Sequence, residues 1–471
     1  MTALDDVLAA HGAAVRPLYE VLGLLRSGSY ELADLVRLTA APRRSVEDVL
    51  TALEADLERS AAGVRIAPDA RPAYASYALP ELPDALDAAV AAQPALLTML
   101  TERIAAVPPP LAALDHVQAT PETVLRRALW LNARYDLRRS KVLFLGDHDL
   151  TSLAVQAVCP EADLTVVDLD ERVLSYLDDT GVFTAHADLR VGLPPAVTGK
   201  ADLVFSDPPY TPEGMGLFAA RAVQALREPT EGRILLAYGY SPRHPALGAQ
   251  VQRSLATLGL TFEAILPDFN RYTGAQAIGS AADLYVCQPT AKAKKSFARK
   301  GSSAIYTHGP QSVESAGTKP GLLAAVREIA AEGGLALETR PVGWATSGPE
   351  GDAVAMDLSA DPGPWLLRTL LGTNARRLAL LVPNNHPDLA DAPSQASLTA
   401  LVAEKYRLRL LRSTPDNRHA IVVADLVDRP SDLLTRAHAR LANVSLSVPE
   451  DLEELRLVDV PRHRLAELVR G

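Results

Sequence analysis

The chain has 471 residues, enough for about three domains with substantial cores. Its formal net charge of −10 argues against sequence-independent nucleic-acid binding, which needs basic surface, and is compatible with cationic substrates. Cys159 and Cys287 have no metal-ligand spacing, and no signal peptide or run of transmembrane length is read, so a cytoplasmic chain without a disulfide framework, metal site or membrane partner is expected.

Residues 1–67 have the arithmetic of a winged helix. Apolar spacing predicts a helix from Arg16 to Arg26, a second capped by Ser29 and running through Leu38, and a third from Pro42 to Leu57. Val64-Arg65-Ile66 supplies a wing strand. Arg43 and Arg44 are the only basic pair at the third helix, which disfavours DNA recognition and leaves a scaffold for dimerisation or substrate access. Residues 68–114, rich in Pro and Ala, are expected to be a linker with a helical lead-in. At Thr120-Pro121-Glu122-Thr123 an N-cap threonine, a proline at the first helical position and an acid in the first turn predict a helix to Asn132.

Residues 115–290 read as a nucleoside-dependent transferase core of Rossmann-like α/β type. The apolar run from Lys141 ends in Gly146-Asp147-His148-Asp149 and leads into a helix, a strand–glycine–helix arrangement that brings backbone close to a nucleoside. A second run, Leu164 to Val167, ends in Asp168-Leu169-Asp170, placing acids where ribose hydroxyls bind. Asp188 and Leu189 follow a third strand, where adenine docks. Ala201 to Ser206 then ends in Asp207-Pro208-Pro209-Tyr210-Thr211. Two prolines fix φ and remove backbone donors, so the turn's carbonyls can accept from an incoming amine; Asp207 adds a charged acceptor and Tyr210 a π-face for a cation.

Residues 115–285 resemble the branched-chain polyamine synthases, aminopropyltransferases that modify an internal nitrogen of spermidine. The resemblance rests on Gln118-Ala-Thr120-Pro121-Glu122-Thr123, Leu145-Gly146-Asp147-His148-Asp149-Leu150-Thr151-Ser152, Asp168-Leu-Asp170-Glu171-Arg172 and Asp207-Pro208-Pro209. Asp268-Phe-Asn270-Arg-Tyr272 and Asp283-Leu284-Tyr285 fit as well. It implies decarboxylated S-adenosylmethionine as co-substrate and a polyamine as acceptor. It also implies Asp168 with Asp170 on the ribose, Asp188 on adenine, and Asp147, Asp149, Asp207 and the Pro208 carbonyl around the acceptor nitrogen. One departure stands out: the family has a run of three acids after the glycine, and here the middle one is His148. A neutral imidazole takes a proton well but attracts an ammonium less than a carboxylate does, so His148 is either a base for a less cationic acceptor or a structural histidine at a helix start.

From Pro289 the chain turns basic and polar, and residues 291–303 are expected to be a linker. Residues 304–471 read as a second α/β domain that echoes the core. Asp352 to Ser359 echoes Ala201 to Ser206, Asp361-Pro362-Gly363-Pro364-Trp365 stands in place of the double-proline turn, and Arg377 to Pro383 echoes the strand from Arg233. Leu398 to Leu411 echoes Val251 to Leu266, His419 to Ala424 echoes Ala282 to Val286, and Ala304 to Gly309 is set against the first strand and its glycine. Without acids at that glycine a second active site is not expected; a built-in pseudo-dimer partner is, with a homodimer as the other arrangement.

Three functions stay open on the sequence: aminopropyl transfer, S-adenosylmethionine-dependent N-methylation of a small amine or a base, and a winged-helix regulator whose core senses a ligand. No basic residue adjoins the glycine turn to meet a methionine carboxylate; Arg172 is the nearest in sequence.

Overall fold

The computed structural model describes residues 2–78, 80, 83–241, 244–273, 281–293, 304–307, 312, 320–344 and 351–469. Four helices, Ala3–His11, Arg16–Ser27, Leu32–Thr39 and Arg43–Ala52, precede an antiparallel hairpin of β1 (Leu57–Ser60) and β2 (Gly63–Ile66). Leu18, Val21, Leu22 and Leu25 form one helical stripe and bury it against Leu35, Val46, Val49 and Ile66. The first helix, capped by Thr2, is not read from the sequence. Ser29 does not cap the next but one: Glu31 holds that position. The fourth ends at Ala52 because Leu57 is drawn into the hairpin opposite Ile66. The lead-in forms helices Ala85–Ala91 and Pro94–Ala106, whose Val90 and Leu100 pack with Val124, Leu125 and Ala128 of helix Pro121–Arg134.

The central sheet comprises β3 (Gln118–Ala119), β4 (Lys141–Leu145), β5 (Asp163–Asp168), β6 (Phe183–His186), β7 (Leu203–Ser206), β8 (Arg233–Tyr238), β9 (Leu260–Thr273) and β10 (Ala281–Pro289), in the order β3-β9-β10-β8-β7-β4-β5-β6. Strands β4 to β8 are parallel; β10 and β9 are antiparallel to their neighbours. The chain runs outward from β4 through β5 to β6, then crosses to β7 on the other side. The carboxyl end of β4 is therefore a topological switch point, where open α/β sheets leave a crevice. Gly146, at the end of β4, has φ 76°, which glycine adopts without steric cost.

A second sheet comprises β11 (Leu337–Thr339), β12 (Gly351–Asp357), β13 (Ala375–Pro383), β14 (Tyr406–Leu411) and β15 (His419–Leu426), ordered β11-β12-β13-β15-β14. Its β12-β13-β15-β14 run repeats β7-β8-β10-β9 in order and sense, one parallel pair followed by two antiparallel ones. Helix Pro320–Ala330 covers one face through Val326 and Ala330; helix Trp365–Gly372 lies on the other, in a buried cluster continuous with Leu143, Leu145 and Val204 of the central sheet. The sequence-stretch Ala304 to Gly309 is not the second sheet's first strand as far as it is described. Ile305, Tyr306 and Thr307 instead line the cavity of the central sheet, and the first strand is β11. His308, Gly309 and most of the expected linker, residues 294–303, lie outside the described residues.

Candidate active site

A cavity of about 550 Å³ opens at the switch point. It is lined by Gly146, Asp147, His148, Asp149, Asp168, Asp188, Leu189, Asp207, Pro208 and Tyr210, so nearly all the expected site residues meet there. Asp170 is the exception. It caps helix Glu171–Leu177, and its two oxygens accept from the backbone N–H and guanidinium of Arg172. That pairing also removes Arg172 as a free cation for a donor carboxylate; its remaining contact is the Pro109 carbonyl.

The end of the cavity that holds Asp149 and Asp207 is organised by Arg127, which the sequence does not single out. Arg127, on the helix opened by Thr120, is fully buried. It donates to Asn270 Oδ1 (2.7 Å), Asp149 Oδ2 (2.9 Å), Thr151 Oγ1 (3.1 Å), Asp207 Oδ2 (2.6 Å) and Tyr272 Oη (3.1 Å). Burial opposes its charge, but Tyr272, Asp207 and Asp149 hold the guanidinium above its ordinary range. Asp149 also accepts from the Ala119 N–H at 2.7 Å, so it ties β3 to the glycine turn as well as lining the cavity.

Asp207 follows β7, and Thr211 caps the next helix, Pro212–Ala225, by accepting from the Gly214 N–H. A Cβ at Gly214 would stand 2.7 Å from the Pro209 carbonyl oxygen, so the double-proline turn needs glycine to lie this close to the helix. Tyr210 donates to Asp207 Oδ1 at 3.1 Å and Tyr272 to Asp207 Oδ2 at 2.6 Å. Burial, then the Asp207 charge, pushes both phenols well above their ordinary value; both stay protonated and donate. Burial pushes the Asp207 carboxyl up, against the pull of Arg127. Pro208 lines the cavity, and among the described residues no donor is paired with its carbonyl.

Where β4 and β5 end, Asp168 accepts one backbone N–H on each oxygen, from Asp147 (2.9 Å) and Asp170 (2.8 Å), which leaves acceptor capacity on both. Asp147 accepts from the Ser152 N–H and hydroxyl. Burial raises Asp147 to about 8 and Asp168 to about 6. Asp188 departs from its expected part. Its oxygens accept from the Arg190 backbone and guanidinium and from Trp365 Nε1 (2.7 Å), four donors that fill a carboxylate's usual capacity. It lines the cavity without a lone pair to spare for the adenine contact expected of it.

His148 stacks on His116, a second unforeseen residue, with ring centroids 4.6 Å apart and planes at 23°. Neither ring nitrogen of His148 has a hydrogen-bond partner, nor has Nδ1 of His116. Burial lowers both imidazoles to about 4, so both are neutral near pH 7. His116, His148 and Asp170 bring ligand atoms within 4.8 Å of one another. Metal-bound imidazoles direct an in-plane lone pair at the ion, which two nearly parallel stacked rings cannot both do, and Asp170 is held by Arg172. The trio as built does not fit a metal centre.

Residues 96–310 match the family model described as the branched-chain polyamine synthase A C-terminal domain. Over 189 residues the chain is 31% identical to the N(4)-bis(aminopropyl)spermidine synthase of Thermococcus kodakarensis, covering 38% of this chain and 52% of that one. An uncharacterized protein of Methanocaldococcus jannaschii is 34% identical over 173 residues, 36% of this chain and 43% of its own. The chain thus spans about half the length of the curated relatives it matches. Among solved structures, the Thermus thermophilus branched-chain polyamine synthase in complex with N4-aminopropylspermidine and 5′-methylthioadenosine superposes with a TM-score of 0.43. That match is 22% identical and covers 61% of this chain and 91% of the other. The likeness to the branched-chain polyamine synthase A C-terminal domain thus rests on residues 96–310, just under half of the chain.

Proposed function

We propose that the chain transfers an aminopropyl group from decarboxylated S-adenosylmethionine to a polyamine nitrogen. The observation that carries this reading is the charge of the cavity. Among the described residues that line it, Arg127 is the only arginine or lysine, and it is enclosed by Asp149 and Asp207. An intact donor would bring a carboxylate to a site whose one cation is already paired. A decarboxylated donor brings an ammonium, which the acids attract. The same argument disfavours the methyltransferase alternative.

In the reaction, the acceptor's lone pair forms a bond to the methylene carbon beside the sulfonium. The carbon–sulfur bond breaks, its electron pair returns to sulfur, and 5′-methylthioadenosine leaves. The attacking nitrogen must first be unprotonated. Asp207 and the Pro208 carbonyl would accept from its N–H, with the Tyr210 ring against its alkyl chain. His148, neutral and with both nitrogens unpaired, would take the proton or simply keep a second ammonium from settling there. Asp168 would accept from the ribose, with Asp147 and Asp149 shaping the acid wall between.

The test is calorimetry of decarboxylated against intact S-adenosylmethionine, followed by mass spectrometry of products with spermidine. Tighter binding of the decarboxylated donor and an aminopropylated product are expected. Tighter binding of the intact donor, with methylated amine formed, would replace this reading by N-methylation.

A further inference from the structure

Residues 320–469 also pair with the central unit through His463 and Arg464 on Asp178 and Glu454 on Lys200, but two of their buried contacts lie at the nucleoside end. Trp365, the first residue of its helix, donates Nε1–H to Asp188 Oδ2 at 2.7 Å in a buried contact. Its ring also lies 5.0 Å from the Arg190 guanidinium, which is 5.3 Å from the Tyr306 ring. The second point is Glu171, the residue that opens the helix after β5. It is ion-paired with the fully buried Arg368 and accepts from the Arg462 backbone N–H at 2.8 Å. Arg368 is fixed in turn by the Val458 carbonyl at 3.1 Å. Asp188 and Glu171 follow β6 and β5, the strands that end at the adenine and ribose side. At the amine end, none of Asp207, Tyr210 and Tyr272 is hydrogen-bonded or ion-paired to residues 320–469 among the described residues.

The turn after β12, set against the double-proline turn in the sequence, holds Trp365 in place. Asp361, in the place of Asp207, accepts from the backbone N–H groups of Gly363, Trp365 and Leu366 and from His386 Nε2 at 3.0 Å. Its carboxylate is spent on the N-terminus of its own helix, and that fixes Trp365 facing the other sheet.

We propose that the C-terminal repeat is a clamp on the donor side: Trp365, acting through Asp188, and Arg368 with Arg462, acting through Glu171, are positioning residues that set affinity for the adenosyl half of the donor and leave the amine site unaffected. The proposal rests on the cavity being a nucleoside site, as the proposed function has it.

The test uses the full chain and titrates 5′-methylthioadenosine by calorimetry beside steady-state kinetics. Trp365→Phe keeps a ring over Arg190 and removes the donor to a charged acceptor. It should weaken nucleoside binding about tenfold, equivalent to about 1.4 kcal/mol, and raise the donor KM alike. The spermidine KM and kcat at saturating donor should stay within about twofold. Adding Trp365→Phe to Asp188→Asn should cost little more than Asp188→Asn alone, because the tryptophan works through that carboxylate. Unchanged nucleoside affinity, an equal loss on the acceptor KM, or full additivity would overturn the clamp. Should Trp365→Phe lower thermal stability so far that kinetics cannot be read, Glu171→Gln on the central sheet should show the same split. If the wild type binds 5′-methylthioadenosine but forms no aminopropylated product, the reaction proposed above fails while the calorimetric comparison still decides the clamp. A wild type that binds no adenosyl nucleoside overturns the clamp as well.

Discussion

The guanidinium of Arg127 donates to Asp207 at 2.6 Å from within a fully buried pocket, and on its other side it holds Asp149 at 2.9 Å. Two acids that would repel each other are thereby fixed at one end of the cavity, with one negative charge in excess. Removing the cation leaves both carboxylates buried without compensation. Arg127→Met is expected to lose about 3–5 kcal/mol of stability in urea unfolding. Arg127→Lys keeps the charge but cannot reproduce a five-donor fork, and should recover only part of that loss. A methionine variant as stable as wild type would show that the acids are protonated rather than paired.

Asp207 is the acceptor closest to the proposed chemistry, held by Arg127, Tyr210 and Tyr272. Asp207→Asn should reduce turnover by about 2–4 kcal/mol in activation free energy and change 5′-methylthioadenosine affinity little. Single-turnover rates and nucleoside calorimetry on the same preparation separate the two. An equal loss of nucleoside binding would move Asp207 to the donor side.

Much of this site is legible in the sequence because glycine and proline punctuate it. Gly146 after one strand and Pro208-Pro209 after another mark chain reversals at the same sheet edge, and parallel topology brings those edges together. What each acid does there is not legible, because a carboxylate's partners come from distant segments. Asp188 is filled by Arg190 and Trp365, Asp170 by Arg172, and Asp149 by Arg127. Arg127 itself left a signal. It lies in the buried series Val124, Arg127, Ala128, Leu131, where an arginine on an apolar helix face demands partners. His116, in a loop, and Trp365, beside prolines, carry no such periodic mark.

His148 is expected to shape a pH profile differently from an exposed imidazole. An exposed imidazole would put an acidic limb near 6.5, but burial lowers His148 to about 4. Rates between about pH 5 and 7 should therefore show no limb that His148→Gln removes. Stability carries the mark instead. The folded-state value lies below the unfolded one, so this contribution is complete above about 6.5 and is lost as pH falls toward about 4. His148→Gln should lose less stability over that interval in chemical unfolding at stepped pH. His148→Asp should shift acceptor preference toward spermidine over less cationic amines.

Donor binding should release protons. In the unliganded cavity burial raises Asp147 to about 8 and Asp168 to about 6, so at pH 7 Asp147 is mostly protonated and Asp168 mostly ionised. A sulfonium and an ammonium brought alongside favour the charged carboxylate and lower both values. Ionisation of Asp147 then releases up to about one proton per donor bound at pH 7, and fewer as the pH is raised past 8. The measurement is calorimetric binding of decarboxylated S-adenosylmethionine in buffers of different ionisation enthalpy. 5′-Methylthioadenosine, which is neutral, serves as the control and should release little. Asp147→Asn should abolish most of the release while leaving Ser152 a partner. Equal proton release by the charged and neutral nucleosides would mean that the acids respond to desolvation by the adenosine and not to the charge of the donor.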